Sequence, residues 1–127
     1  MLDHIGIKVS DFGRAKAFYE QVMPALGAEL LMEFGPEVTG HARVAGFGRT
    51  KPDFWIGDGG PMRPRLHVAF AAESRAMVKA FHRTALAAGA ADNGAPGLRP
   101  EYHRHYYGAF ALDPDGHNIE AVCHHPE

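Results

Sequence analysis

"DHIGIKVSDFGRAKAFYEQ" (Asp3–Gln21) and "LHVAFAAESRAMVKAFHRT" (Leu66–Thr84) are the two stretches that decide the fold. One constant offset lays His4 on His67 and Lys16-Ala17-Phe18 on Lys79-Ala80-Phe81. The same offset lays Phe47 on Phe110 and Ile56 on Ile119. The hydrophobic patterns agree as well, so the chain reads as a duplication. Each half opens with a short alternating strand, Ile5–Val9 and then Leu66–Ala71. A helix follows each strand. Ser10 or Asp11 caps the first and Ser74 the second, by accepting from free backbone N–H groups. Ala15, Phe18, Tyr19, Val22 and Leu26 recur at three and four in the first helix. Met77, Val78, Phe81, Ala85 and Ala88 do so in the second, and each set forms one apolar stripe. Gly27 and Gly89 stop the helices. Strands are expected at Leu30–Glu33, Ala42–Phe47 and Asp53–Ile56, then around Leu98–Tyr102, and at Tyr106–Leu112 and Asn118–Cys123. The order is βαβββ, twice: an α+β fold with module one at about 1–60 and module two at about 64–125.

The totals agree with one domain. A chain of 127 residues with 46% hydrophobic and 22% charged residues builds one core. A net charge of −2 provides no global basic field, so neither nucleic acid nor an anionic membrane is an expected partner. No apolar run reaches the roughly 18 residues of a membrane span. The start, "MLDHIGIKV", shows no basic region or cleavage site, and the single Cys123 fits a reducing compartment. The expected location is the cytoplasm. Cys123 has core parity, which predicts a buried, inert thiol.

Strand alternation then sorts the polar residues. Ile5, Ile7 and Val9 share the face that helices cover, so His4 points away from it. His67 opposes Leu66, Val68 and Phe70, and Glu120 opposes Ile119, Ala121 and Cys123. All three lie on faces turned from the helices, where a bent sheet forms a cleft. Two imidazoles and a carboxylate from three strands suit Zn, Fe, Mn, Ni or Co as the divalent ion, with positions left open for water and substrate. A lone strand histidine, or a glutamate in a cross-strand ion pair, is the ordinary alternative for each residue taken singly.

"DHIGIKVSD" with "AFYEQVMPALGA", "LHVAFAA" and "YYGAFALDPDGHNIEAV" together resemble the vicinal oxygen chelate superfamily, the glyoxalase, bleomycin-resistance and extradiol-dioxygenase group. The resemblance covers nearly the whole chain. Its most specific part is the closing G-x-F-x-x-D-P-D-G-x-x-[IL]-E pattern. It implies paired βαβββ modules and a divalent metal ligated by His4, His67 and Glu120. It also implies a small-molecule substrate with vicinal oxygens, handled by lyase, isomerase or dioxygenase chemistry, and a homodimer whose sites can draw on both chains. The position matching Glu120 in module one is Gly57, which has no donor. Asp58 beside it reaches the cleft only if Gly57 marks a bulge. Relatives with four protein ligands are therefore a poorer match than those with three.

"EYHRHYYG" (Glu101–Gly108) is the richest loop. Tyr107 is assigned to the cleft face with Ala109 and Ala111, and one of Tyr107, His103 and Tyr106 is expected to donate to substrate or relay a proton. Trp55 and Gly57 share a face and are expected to wall the cleft, with His124 at its rim. His41, His82, His117 and His125 are read as surface residues. Three accounts of function remain: a metal-dependent enzyme, a metal-free module that sequesters an aromatic ligand, or a structural dimerisation domain with a vestigial site.

Overall fold

Ile7 and Val9 alternate with exposed Gly6 and Lys8, and this two-residue period fixes the first strand, β1 (Ile5–Val9). The computed structural model describes residues 1–127. Helix α1 (Phe12–Val22) follows, capped by the Asp11 carboxylate, which accepts from the Arg14 N–H at 3.0 Å. Its buried stripe is Phe12, Ala15, Phe18, Tyr19 and Val22. A 3-10 turn (Met23–Leu26) ends at Gly27, whose φ of 73° is the left-handed conformation that glycine adopts without penalty. Then come β2 (Glu29–Phe34), a single helical turn α2 (Pro36–Thr39), β3 (Val44–Gly48) and β4 (Phe54–Asp58).

Module two repeats the plan with β5 (His67–Ala71), α3 (Arg75–Ala87), β6 (Ala91–Leu98), β7 (Tyr107–Leu112) and β8 (Asn118–Cys123). Ser74 caps α3 through the Met77 N–H. The two four-stranded sheets have matching orders, β1-β4-β3-β2 and β5-β8-β7-β6. In both, the first strand runs parallel to the last and the other pairs are antiparallel. The expected paired βαβββ architecture is thus the one observed.

The helices pack on the apolar faces of the sheets and against each other, and one core of 24 buried residues runs through both modules. Phe18, Tyr19 and Phe54 from module one meet Phe70 and Phe81 from module two in a chain of edge-on rings. Burying a phenylalanine such as Phe81 contributes about 3–5 kcal/mol against alanine. A polar clasp joins the modules as well. The Tyr19 hydroxyl donates to Asp113 Oδ2 at 2.6 Å. The other oxygen of Asp113 accepts from the N–H groups of Asp115 and His117, closing the D-P-D-G turn. Ser10 donates to Asp115 through both its N–H and its hydroxyl.

Four expectations change. The second strand of module two is β6, which ends at Leu98 and lies upstream of the expected Leu98–Tyr102. "ADNGAPGL" carries turn residues, yet it pairs with β7 through two irregularities at Gly94 and Gly97. Tyr107 does not face the cleft. It stands opposite Cys123 in the antiparallel ladder, which puts both on the helix-covered face, and Tyr107 is buried there against the Arg75 guanidinium. His117 and His82 are buried, not surface residues. His117 Nδ1 accepts from the Leu66 N–H, and His82 Nε2 meets Asp92 at 2.9 Å. Cys123 is buried, as its parity predicts.

Candidate metal centre

β8 places Glu120 on the open face of its sheet, between Phe110 of β7 and Ala69 of β5. Its carboxylate is nonetheless 1% exposed, because taller neighbours stand around it. Tyr106 donates its hydroxyl to Oε2, and His67 Nε2 lies 3.0 Å from Oε1. Gly108 makes this possible. A Cβ there would sit 3.1 Å from both Glu120 Oε2 and Tyr106 Cε1. His67, Tyr102, Tyr106, Phe110 and Glu120 enclose a hollow of about 380 Å³.

The hydrogen bonds assign the His67 proton. Nδ1 lies 3.1 Å from the Asn118 carbonyl, which can only accept, so Nδ1 carries hydrogen. Neutral imidazole then turns a lone pair at Nε2 toward a carboxylate. That contact requires either a second proton on the ring or a cation between the two atoms. A divalent ion suits this pair: a neutral imidazole nitrogen and a buried carboxylate oxygen, with the other ring N–H anchored to backbone. Burial and the Glu120 carboxylate hold the Tyr106 phenol well above its ordinary range, and the Arg99 charge opposes them. Tyr106 is therefore a donor near neutral pH.

His4 is prepared in the same way but stands apart. Asp3 Oδ1 lies 2.7 Å from His4 Nδ1, and Lys51 holds the other oxygen of Asp3 at 2.8 Å. These two donors, Lys51 first, pull the Asp3 carboxyl down to about 2. His4 Nε2 is left without a partner. His4 and His67 both border a groove of about 530 Å³ between the modules. That groove is larger than the hollow over Glu120, but the charged donors meet in the hollow. No three metal-ligating side chains converge within the chain. The structure therefore joins His67 to Glu120 and leaves His4 outside that pair.

The remaining candidates fall as follows. Trp55 lies on the open face of sheet one, opposite Gly46 and Gly6. Its indole covers Gly46, donates to the Pro52 carbonyl at 3.0 Å and stacks on Phe34. Gly57 is in regular register with Lys8 and Val44, with no bulge. Asp58 consequently stays on the other face and is held by Arg43. His103 Nε2 meets His124 Nδ1 at 2.6 Å, and both rings pack on Tyr106. The sequence reading missed Gly108 and Arg99. Gly108 could have been found from the G-x-F spacing, whose glycine is two residues before the cleft-facing Phe110.

Paired βαβββ modules, one of which turns His67 and Glu120 to the open face of its sheet, define a scaffold of duplicated design. The sequence profile of the Glyoxalase/Bleomycin resistance protein/Dioxygenase superfamily matches residues 1–121, and the chain belongs to that superfamily. No curated protein matches it at a significant level. A glyoxalase/bleomycin resistance protein from Albidiferax ferrireducens T118 is 24% identical, with a TM-score of 0.73 over 94% of this chain and 96% of that one. A glyoxylase/bleomycin resistance protein/dioxygenase domain from Frankia sp. EAN1pec is 19% identical, with a TM-score of 0.75 over 98% of each chain. The fosfomycin resistance protein FosX from Listeria monocytogenes, solved with Mn(II) and sulfate, is 20% identical. Its TM-score is 0.68 over 97% of this chain and 91% of that one. At these identities the likeness concerns the fold. No helix is long and apolar enough to cross a membrane.

Proposed function

We propose that the chain is a divalent-metal enzyme of the vicinal oxygen chelate type, acting on a small substrate through adjacent oxygens. One observation carries this reading: the buried Glu120 carboxylate faces His67 Nε2 at 3.0 Å while His67 Nδ1 is committed to a carbonyl. His67 and Glu120 hold the ion. His4 is the third ligand, supplied from just before β1 of a second copy, since its Nε2 is free and its own chain brings no third donor to the pair. The FosX relative was solved with Mn(II), which agrees with a divalent ion here.

When bound, the ion supplies Lewis-acid polarisation of the substrate oxygens. The chain's own groups do the rest. Tyr106 donates to Glu120 Oε2 and so fixes the carboxylate plane. Asn118 and Asp3 fix the two imidazoles with Nε2 forward. Phe110 and Tyr102 wall the hollow with aromatic surface. His103 and His124, stacked at the rim, are the groups placed to pass a proton to solvent.

A second reading is a metal-free sequestering module. The observation favouring it is the Trp55–Phe34 stack, rings 6.3 Å apart and 17° from parallel, on a face paved with glycine. Elemental analysis of purified protein decides between them, with His67→Ala and Glu120→Ala as controls that must remain folded. Near-stoichiometric metal in the parent, lost in both variants, supports the enzyme. A parent that stays empty and unresponsive to added Mn(II) or Zn(II) removes that reading and leaves the second.

A further inference from the structure

Arg99 follows β6 and turns its side chain back over that strand. A Cβ at Gly94 would sit 3.3 Å from Arg99 Nη2, and one at Gly97 would sit 3.1 Å from Nη1. The glycines and the two irregularities they mark in β6 leave the space the guanidinium fills. Its carbon lies 5.5 Å from the centre of the Phe110 ring. Phe110 in turn stacks against His67, rings 6.1 Å apart. Gly94, Phe110 and Glu120 are successive register partners across the sheet, so Arg99 stands on the same open face as the proposed ligands.

This cation is poorly satisfied by its own chain. Its side chain makes one hydrogen bond, from Nη2 to the Ala95 carbonyl at 2.7 Å. It forms no ion pair, whereas Arg43 and Arg49 both meet carboxylates. Guanidinium offers five N–H donors in a rigid fork, so most of its donors remain open. Its backbone is pinned: the Arg99 N–H donates to the Tyr106 carbonyl at 2.8 Å, and the Arg99 carbonyl accepts from Tyr102 at 3.0 Å. The fork is therefore held in place on Phe110.

We propose that Arg99 is the anchor for an oxyanion of the substrate, a carboxylate or a phosphoryl or phosphonyl group, beside the His67–Glu120 pair. The site then takes small organic anions, and neutral diols or dicarbonyls of the same size bind poorly. Fork geometry suits two oxygens at once, and Phe110 shields that contact from water on one side. The proposal rests on the metal-site reading for the place of the reacting end, but the anion contact needs only the chain itself.

The test uses metal-free full-length protein titrated with inorganic phosphate and with acetate, followed by amide chemical shifts. Saturable shifts are expected at Gly94, Gly97 and Phe110, with binding at least tenfold weaker in Arg99→Met, which keeps the packing on Phe110. Arg99→Lys, which keeps charge without the fork, is expected to fall between. Tighter phosphate than acetate assigns a tetrahedral oxyanion, and the reverse assigns a carboxylate. Equal titration of parent and Arg99→Met, with both melting alike, overturns the anchor. Mn(II) binding measured on the same two proteins separates this from the metal reading. Mn(II) bound equally by both leaves the metal reading intact whatever the anions do. Arg99-dependent phosphate binding in a protein that binds no Mn(II) keeps the anchor and removes the metal.

Discussion

Glu120→Gln keeps the shape of the side chain and removes its charge, so it separates two accounts of the His67 contact. On the ligand account, metal-free protein holds a His67 whose Nε2 lone pair faces Glu120 Oε1 at 3.0 Å, with no ion to join them. A carboxamide can donate to that lone pair while its oxygen accepts from Tyr106. The buried charge disappears at the same time. The metal-free variant is therefore expected to be at least as stable as the parent, by up to about 1–3 kcal/mol, the usual cost of an unsatisfied buried polar group. With metal the order reverses. An ion at a hundred times its Kd stabilises the parent by about 2.7 kcal/mol. For 127 residues that is a rise in melting temperature of about 10 °C. If the variant binds about a hundredfold more weakly, the same ion concentration leaves about 0.4 kcal/mol, a rise of about 2 °C. The assay is thermal melting by circular dichroism after chelation, then with Mn(II) or Zn(II) added, at one fixed protein concentration. Equal metal shifts in parent and variant would refute Glu120 as a ligand. A metal-free variant melting well below the parent would show that Glu120 serves as the anion of a structural ion pair.

Other expectations follow from the same geometry. Mixing His4→Ala with His67→Ala protein after partial unfolding should restore metal to about one-quarter of the parent's sites, because half the dimers are hybrids and each has one complete site; no recovery would place all ligands in one chain. Gly108→Ala should cost about 1–3 kcal/mol by overpacking and weaken metal binding, since the new Cβ meets Glu120 and Tyr106 at 3.1 Å; unchanged metal affinity would count against this arrangement. Tyr19→Phe should lower urea stability by about 1.5–3 kcal/mol by removing the 2.6 Å bond to Asp113. Burial raises the Tyr19 phenol well above its ordinary range. Its contribution is therefore full below the unfolded phenol value, near 10, and falls by about 1.4 kcal/mol per pH unit above it. The Phe variant should lack that alkaline loss, and identical alkaline profiles would contradict the assignment.

Much of this architecture was legible because β1 alternates in burial, and because β5 and β8 each set a single histidine or glutamate against an apolar face. Ile7 and Val9, or Ile119, Ala121 and Cys123, leave no choice of face, so the positions of His67 and Glu120 followed. β7 gave no such signal. Ala109, Ala111, Phe110 and Leu112 are all apolar, and only the register with β8 shows that Tyr107 and the alanines face the helices while Phe110 faces the hollow. β6 was misplaced for a related reason: its glycines and proline read as a loop, and its bulged pairing depends on β7 for partners. His117 reads as a surface histidine, yet the turn folds it inward to accept a backbone N–H. The distance between His4 and the other donors was not legible, because it depends on how modules pack and not on strand period.

Trp55 is the only tryptophan in the chain, and it lies on the open face of module one with its N–H tied to Pro52. The proposed ligands His67 and Glu120 belong to module two. Intrinsic emission and metal occupancy thus report on opposite halves of the molecule. A wavelength shift that follows protein concentration would mark the covering of the indole face by another copy, with no label attached. A shift that follows metal at constant concentration would mean that the other half, or a neighbouring copy, has brought its site within optical range of the indole.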